Sequence, residues 1–300
     1  MNAIEIQHLS KNFGPKQAVV GLDMTVPVGS IYGFIGENGS GKSTTEKMIC
    51  GLLVPSGGRI RLFGRDYTDP DVREKIGVLI EAPGCFPGLT VWNNLKIQAA
   101  NLHIQNPDDE IRRVLKLVRM EGAAGNKYKN CSLGMKQRIG IAMALLGSPK
   151  LLVLDEPING LDADGMRIMR EVLCDLAAHG VTVLVSSHIL SELEKIATHY
   201  GIIRGGRMVK EMTAAELEAG CRTYIALQAQ EANRAKAILA CKYARVEEDE
   251  ASYIRVYDSV TPEEVVSLLY EHGILVSELK TDKISLEEYY MDLMHEKGGR

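Results

Sequence analysis

Gly36-Glu37-Asn38-Gly39-Ser40-Gly41-Lys42-Ser43 follows the spacing G-x-x-x-x-G-K-[ST]. Residues of these types at this spacing suit phosphate binding. Glycines let the backbone turn its N–H groups inward around phosphate oxygens. A helix opening at the lysine adds the positive end of its dipole. Lys42 would bring a point charge to a γ-phosphate, and Ser43 would offer a hydroxyl to Mg²⁺. With the neighbouring Thr44, the whole run Gly36 to Thr44 is a candidate cradle.

A second run carries acids. Leu151-Leu152-Val153-Leu154-Asp155-Glu156-Pro157 is four apolar residues followed by two carboxylates. Such a strand buries its hydrophobic part and delivers the acids at its C-terminal end, where ligands bind in open α/β sheets. Asp155 is suited to hold Mg²⁺ through its water shell. Glu156 is suited to polarise the water that attacks phosphorus, and a positioned base of this kind is worth roughly 10²- to 10⁴-fold in rate.

These groups need a scaffold, and the sequence reads as α/β over its first two thirds. Ser30–Ile35, Arg59–Phe63, Ile76–Ile80, Leu151–Leu154 and Val181–Val185 read as strands. The uninterrupted apolar runs among them suit a largely parallel sheet buried on both faces. Lys42–Leu53, Val91–Ala100, Glu110–Met120 and Leu133–Leu146 have helical spacing. Residues 1–212 hold 25 basic and 22 acidic side chains, whereas residues 213–300 hold 10 basic and 17 acidic. That shift, with the loss of glycine motifs after Gly206, predicts a boundary at Met212. Beyond it, strands at Thr223–Leu227, Ala244–Val246, Tyr253–Tyr257 and Ile274–Leu279 alternate with helices at Ala232–Ala240, Pro262–His272 and Leu286–His295. The order β-α-β-β-α-β plus a helix predicts a small α+β domain of the split β-α-β, ferredoxin-like kind.

Composition narrows the class further. The 300 residues are 45% hydrophobic and 25% charged, with a net charge of −4, as in a globular chain and not in a basic one built to grip nucleic acid. The best apolar run, Ile139–Gly147, ends at Ser148-Pro149-Lys150 and is too short to span a bilayer. The N-terminus lacks a basic region followed by an apolar stretch, so the expected location is cytoplasmic. The six cysteines form no C-x-x-C pair, and free thiols are expected.

Further segments give the chain a specific resemblance. Lys11-Asn12-Phe13-Gly14, Cys131-Ser132-Leu133-Gly134-Met135-Lys136-Gln137-Arg138, Asn159-Gly160-Leu161-Asp162 and Ser186-Ser187-His188 occur in that order around the two motifs above. Residues 1 to about 212 thereby resemble the ATP-binding subunit of an ABC transporter. The resemblance implies a P-loop NTPase domain with a mainly parallel sheet and a helical subdomain. It implies that Phe13 stacks on adenine and that Ser132 and Gly134 form the signature that meets phosphate. It also implies that Asp162 links two active sites and that His188 contacts the γ-phosphate beside the catalytic Lys42 and Glu156. Two departures stand out. Cys131, Leu133 and Met135 replace the usual Leu, Gly and Gln of the signature. Glu81, in Leu79-Ile80-Glu81, stands where the family has a glutamine that contacts the metal; the resemblance makes Glu81 a candidate Mg²⁺ contact through a carboxyl oxygen, although an ionised glutamate cannot donate a hydrogen bond. The S-L-G-M-K-Q-R signature with an L-I-E loop is most similar to the bacitracin and lantibiotic subgroup.

The implied function is ATP hydrolysis with Mg²⁺, powering a separate membrane permease and exporting peptide antibiotics. The implied partners are a second copy of the chain, because each nucleotide is sandwiched between the cradle of one copy and Ser132 and Gly134 of the other, and an integral membrane permease docked on Ala82–Asn94. The chain would then sit on the inner face of the membrane through that permease, with no nucleic-acid partner. The alternatives are an ABC ATPase acting on a ribosome or nucleic-acid complex, and a different P-loop enzyme such as a small-molecule kinase. Relatives of the first kind usually carry two ATPase domains or long coiled coils, and neither is present here.

Overall fold

The computed structural model describes residues 1–220, 223–249, 252–257 and 260–296, which divide into two compact units, Met1–Ala214 and Ala215–Arg300. In the first unit, β1 (Asn2–Phe13) and β2 (Lys16–Pro27) form a long hairpin, and β3 (Ile31–Ile35) leads through a turn into α1 (Lys42–Ile49). Next come β4 (Gly57–Leu62), β5 (Arg65–Asp66), α2 (Pro70–Arg73) and β6 (Ile76–Leu79). Three helices follow, α3 (Val91–Asn101), α4 (Pro107–Leu117) and α5 (Leu133–Leu145), and they pack on one another. The chain then returns through β7 (Leu151–Asp155), α6 (Ala163–Ala178), β8 (Thr182–Ser187), α7 (Leu190–Leu193), β9 (His199–Arg204) and β10 (Arg207–Thr213).

These strands make two sheets. One is antiparallel, in the order β2-β1-β4-β5. The other has the order β10-β9-β3-β8-β7-β6, parallel throughout except for β10 at its edge. All five residues of β3 and all six of β8 are buried, as strands covered on both faces must be. Ile4, Leu9, Val19 and Leu62 of the antiparallel sheet share one core with Phe34, Val153 and Leu184 of the parallel sheet and Met48 of α1. The parallel sheet therefore holds the C-terminal ends of β3, β7 and β8 together at one edge, and the cradle, the acids and His188 emerge from those ends.

Two helices depart most from their expected bounds. α1 stops at Ile49, four residues before the expected Leu53. Gly51 adopts φ +69°, and the N–H groups of Leu52 and Leu53 both turn back to the Lys47 carbonyl, at 2.8 and 3.1 Å. α4 runs from Pro107 to Leu117 and not from Glu110 to Met120. Proline occupies its first turn together with Asp108, Asp109 and Glu110, which favours a start there.

In the second unit, α8 (Ala214–Gly220) precedes β11 (Thr223–Ala229), α9 (Ala232–Lys242), β12 (Val246–Glu248), β13 (Ile254–Val256), α10 (Pro262–Glu271), β14 (Val276–Lys283) and α11 (Leu286–Glu296). The antiparallel order β12-β13-β11-β14 is that of a split β-α-β module. Ile225, Leu227, Ile254 and Val256 pack against Ala235 and Leu239 of α9 and Val265 and Leu269 of α10. A capping box between Thr261 and Glu264 starts α10. The final strand begins at Val276, two residues later than expected, because Ile274 closes the preceding turn through its N–H to the Leu269 carbonyl at 2.9 Å.

Candidate nucleotide site

The chain leaves β3 at Ile35 and enters a turn that closes on α1. Gly41 sits at φ +110°, where side chains strain the backbone. A Cβ on Gly36 would stand 2.5 Å from Ser40 Oγ and 2.6 Å from the Ile203 carbonyl oxygen, so only glycine fits there. Lys42 folds back into the turn. Its Nζ donates to the carbonyls of Gly36 at 2.6 Å and Glu37 at 3.3 Å, and the side chain is only 6% exposed. The ammonium is therefore fixed in advance within the loop whose N–H groups would receive phosphate.

A cavity of about 260 Å³ opens beside this loop. Its walls bring together Phe13, the Asn38–Thr44 turn and the Asp155–Glu156 pair, three stretches distant in sequence. Phe13 ends β1, is half exposed, and carries the Lys11 Nζ 5.2 Å from its ring centre. Glu37 and Ser40 lie on the same turn and line a neighbouring cavity with Ile203 and Gly205.

The two acids receive different treatment. Asp155 closes β7 and accepts a hydrogen bond from Ser186 Oγ on β8 at 2.8 Å. Glu156 leaves the sheet at φ +50°, a left-handed conformation that costs energy for a residue with a side chain. Its N–H donates to the Ser186 carbonyl and Oγ, both at 3.2 Å, which holds the turn. The Glu156 carboxylate then lies between two partners, His188 Nδ1 at 2.8 Å and Lys42 Nζ at 3.8 Å.

Other sequence candidates stand apart from this cavity. Ser132 is the N-cap of α5, accepting from the Met135 N–H at 3.2 Å, and Gly134 lies in the first turn of that helix. Asp162 is the N-cap of α6, accepting from the Gly165 N–H at 2.9 Å. The two segments adjoin, since a Cβ on Gly160 would come within 2.9 Å of Leu133 Cδ2. None of Ser132, Gly134 and Asp162 lines the cavity. Glu81 is 71% exposed at φ +66° and pairs with Lys47 of α1 at 2.7 Å, so the structure does not bring it into the cavity either. That ion pair holds the Glu81 carboxyl below its usual range.

One residue that the motifs pass over belongs to this neighbourhood. Glu46, one turn beyond Ser43 on α1, is fully buried beside Asp155 and Ser186. Burial, and then the Asp155 carboxylate, pushes its carboxyl well above the usual range. The signal available in the sequence is an acid at i+3 from Ser43, on the helix face that must pack inward.

The donors fit a magnesium nucleotide. Ser43 and Asp155 are hard oxygen donors on the wall of one cavity. Among the described residues no cluster of three or more His, Cys, Asp or Glu side chains could hold a metal by itself. An ion there needs phosphate oxygens and water to complete its shell, as Mg²⁺ on a nucleotide does.

Comparison with known proteins agrees with this geometry. The family model described as ABC transporter matches residues 19–159. The bacitracin transport ATP-binding protein BcrA of Bacillus licheniformis is 37% identical over 299 residues, covering 97% of both chains. The lantibiotic transport ATP-binding protein SrtF of Streptococcus pyogenes is 39% identical over 208 residues, covering 69% of this chain and 90% of that protein. Among solved structures, cbiO1 from Clostridium perfringens, part of the ABC transporter complex cbiONQ, superposes with a TM-score of 0.67 at 26% identity, covering 73% of this chain and 91% of the other. The chain belongs to the ATP-binding proteins of ABC transporters, ATPases that work as dimers with membrane permease partners.

Proposed function

We propose that this chain hydrolyses Mg·ATP as a pair of identical copies on the inner face of the membrane, driving a permease that exports a peptide antibiotic of the bacitracin or lantibiotic kind. The observation that carries the pairing is the separation of the two phosphate-binding elements. The cavity is walled by Lys42, Ser43, Asp155 and Glu156, while Ser132 and Gly134 lie outside it. A second copy facing the cavity with its own α5 N-terminus would supply N–H donors and a helix dipole to the triphosphate. No helix among the described residues is long and apolar enough to cross a membrane, and a separate permease would supply the transport path. The cargo reading rests on the similarity to BcrA along nearly the whole chain.

The residues divide the work. Phe13 offers a face to the adenine, and Gly36 to Thr44 cradle the phosphates. Lys42 adds a fixed positive charge where the γ-phosphate carries negative charge. Ser43 and Asp155 would hold Mg²⁺, which neutralises phosphate charge when bound. Glu156 accepts a proton from the attacking water as its oxygen bonds to the γ-phosphorus. The bond to the β-phosphate oxygen breaks, leaving ADP and phosphate. His188 holds the carboxylate in place through Nδ1. Loss of the γ-phosphate removes the link between the two copies and lets them part.

The test is a resistance assay in a bacterium lacking its own exporter. Cells carrying this chain and its co-purifying permease should tolerate bacitracin or a lantibiotic, and Glu156→Gln should abolish that tolerance. Tolerance unchanged by Glu156→Gln would contradict the reading, and so would retention of the chain on ribosomes in place of a membrane protein.

A further inference from the structure

Glu192 is a charged residue in a sheltered place. It lies on α7, four residues after His188, and is only 7% exposed. Burial works to raise its carboxyl, but hydrogen bonds from Lys195 and Arg170 hold it below the usual range, so the side chain is ionised. Lys195 is a neighbour along the chain, at 2.6 Å. Arg170 comes from another element. It lies on α6, and its Nη1 donates to Glu192 Oε2. The guanidinium is 22% exposed, so the pair is largely shielded from water. The ion pairs that join Arg119 and Arg167 to Asp164, Glu171 and Asp175 of α6 are all at least 39% exposed, and such surface pairs are worth little.

The two helices differ in how firmly they are held. α6 buries Met169, Val172, Leu173 and Leu176 along its length. α7 has only four residues, too few to keep a helical shape alone. Leu190 and Leu193 bury one side of it, but apolar contacts are non-directional. The guanidinium–carboxylate bond has a direction, and it fixes how α7 is turned. His188 leads into α7 through Ile189 alone, and its Nδ1 lies 2.8 Å from Glu156 Oε2. The setting of α7 therefore sets the ring. We propose that Arg170 and Glu192 are positioning residues for the His188–Glu156 contact: their bond holds α7 against α6 and so aims the histidine at the carboxylate. This rests on the reading of Glu156 as the base and of His188 as the residue that holds it. Because α6 starts at Asp162, the same bond ties that segment to the base.

The experiment measures phosphate release by the full-length protein at one chain concentration and varied Mg·ATP, giving kcat and KM. Glu192→Gln and Arg170→Lys are each made in wild type and in His188→Ala. Glutamine keeps the shape of the side chain but not its charge, and lysine keeps a charge but not the planar fork. In wild type, kcat should fall about tenfold in Glu192→Gln and at least about threefold in Arg170→Lys, with KM within about twofold. In His188→Ala, neither change should lower kcat further by more than about 1.5-fold, because the group that the pair aims is gone. A merely structural pair would lower kcat by the same factor in both backgrounds, and that result would overturn the proposal. Wild-type kcat in either variant would overturn it too. Should Glu192→Gln not fold, Arg170→Lys carries the comparison by itself. Wild-type kcat in His188→Ala would instead overturn the underlying reading of His188.

Discussion

Glu156 Oε2 lies 2.8 Å from Nδ1 of His188, a contact between the residue that follows β7 and the residue that follows β8. The His188 backbone N–H approaches the same oxygen at 3.4 Å. The carboxylate is thus aimed by the neighbouring strand and not by its own turn. Glu156→Gln keeps an oxygen that can accept from His188 but removes the base. Turnover should fall by about 10²- to 10⁴-fold with ATP affinity retained. Steady-state phosphate release and equilibrium nucleotide binding measure the two effects.

His188 should matter for rate more than for folding. It is 44% exposed, so His188→Ala costs little packing. It frees the Glu156 carboxylate on one side and leaves it the Lys42 ammonium, 3.8 Å away. A fall in kcat of at least about tenfold is expected, with the melting temperature nearly unchanged. A parallel drop in both would assign His188 a structural role.

Lys42→Ala should act on binding. Hydrogen bonds to charged groups are worth about 1.5–3 kcal/mol, or roughly ten- to 150-fold in affinity. Titration with a fluorescent ATP analogue would show this loss, and wild-type affinity would contradict the cradle.

Ser132 separates a local role from a shared one. Its hydroxyl caps α5, and replacing such a cap with alanine costs about 1 kcal/mol. Aspartate caps as well as serine but adds a negative charge where phosphate should arrive. Ser132→Asp should therefore keep the thermal stability that Ser132→Ala loses. Both variants should lose ATP-dependent pairing, measured by light scattering. Pairing retained by Ser132→Asp would mean that this helix start does not meet the nucleotide.

Thiol labelling tests the packing under Ala82–Asn94. Burial, with Cys131 nearby, pushes the Cys85 thiol up to about 11, and burial raises Cys131 as well. At pH 8 roughly one Cys85 in a thousand would be thiolate, the form that reacts. Peptide mapping after mild alkylation should find exposed Cys241 modified well before Cys85 and buried Cys131. Cys85 labelling should then rise about tenfold per pH unit up to pH 10.

The sequence disclosed what is local. The cradle and the Leu151–Glu156 run are contiguous, and their chemistry follows from residue type and order. The β1–β2 hairpin has no legible pattern, because repeated register shifts along it break the two-residue alternation that marks a strand. α6 is not among the helices that the spacing predicts, although Asp162 of the Asn159–Asp162 segment caps its start. The pairing of Glu81 with Lys47 joins residues 34 positions apart and has no linear signature. Glu46 sits one turn beyond the phosphate motif, which leaves its position unspecified. Its burial beside Asp155 emerges only when α1 packs against the parallel sheet.

The claim that most of this depends on is that one chain provides only one wall of each nucleotide pocket. Phosphate release per chain, measured across a dilution series with saturating Mg·ATP, tests it most directly. Activity per chain should climb with chain concentration and vanish where light scattering finds only monomers. A constant activity per chain throughout the monomeric range would contradict it.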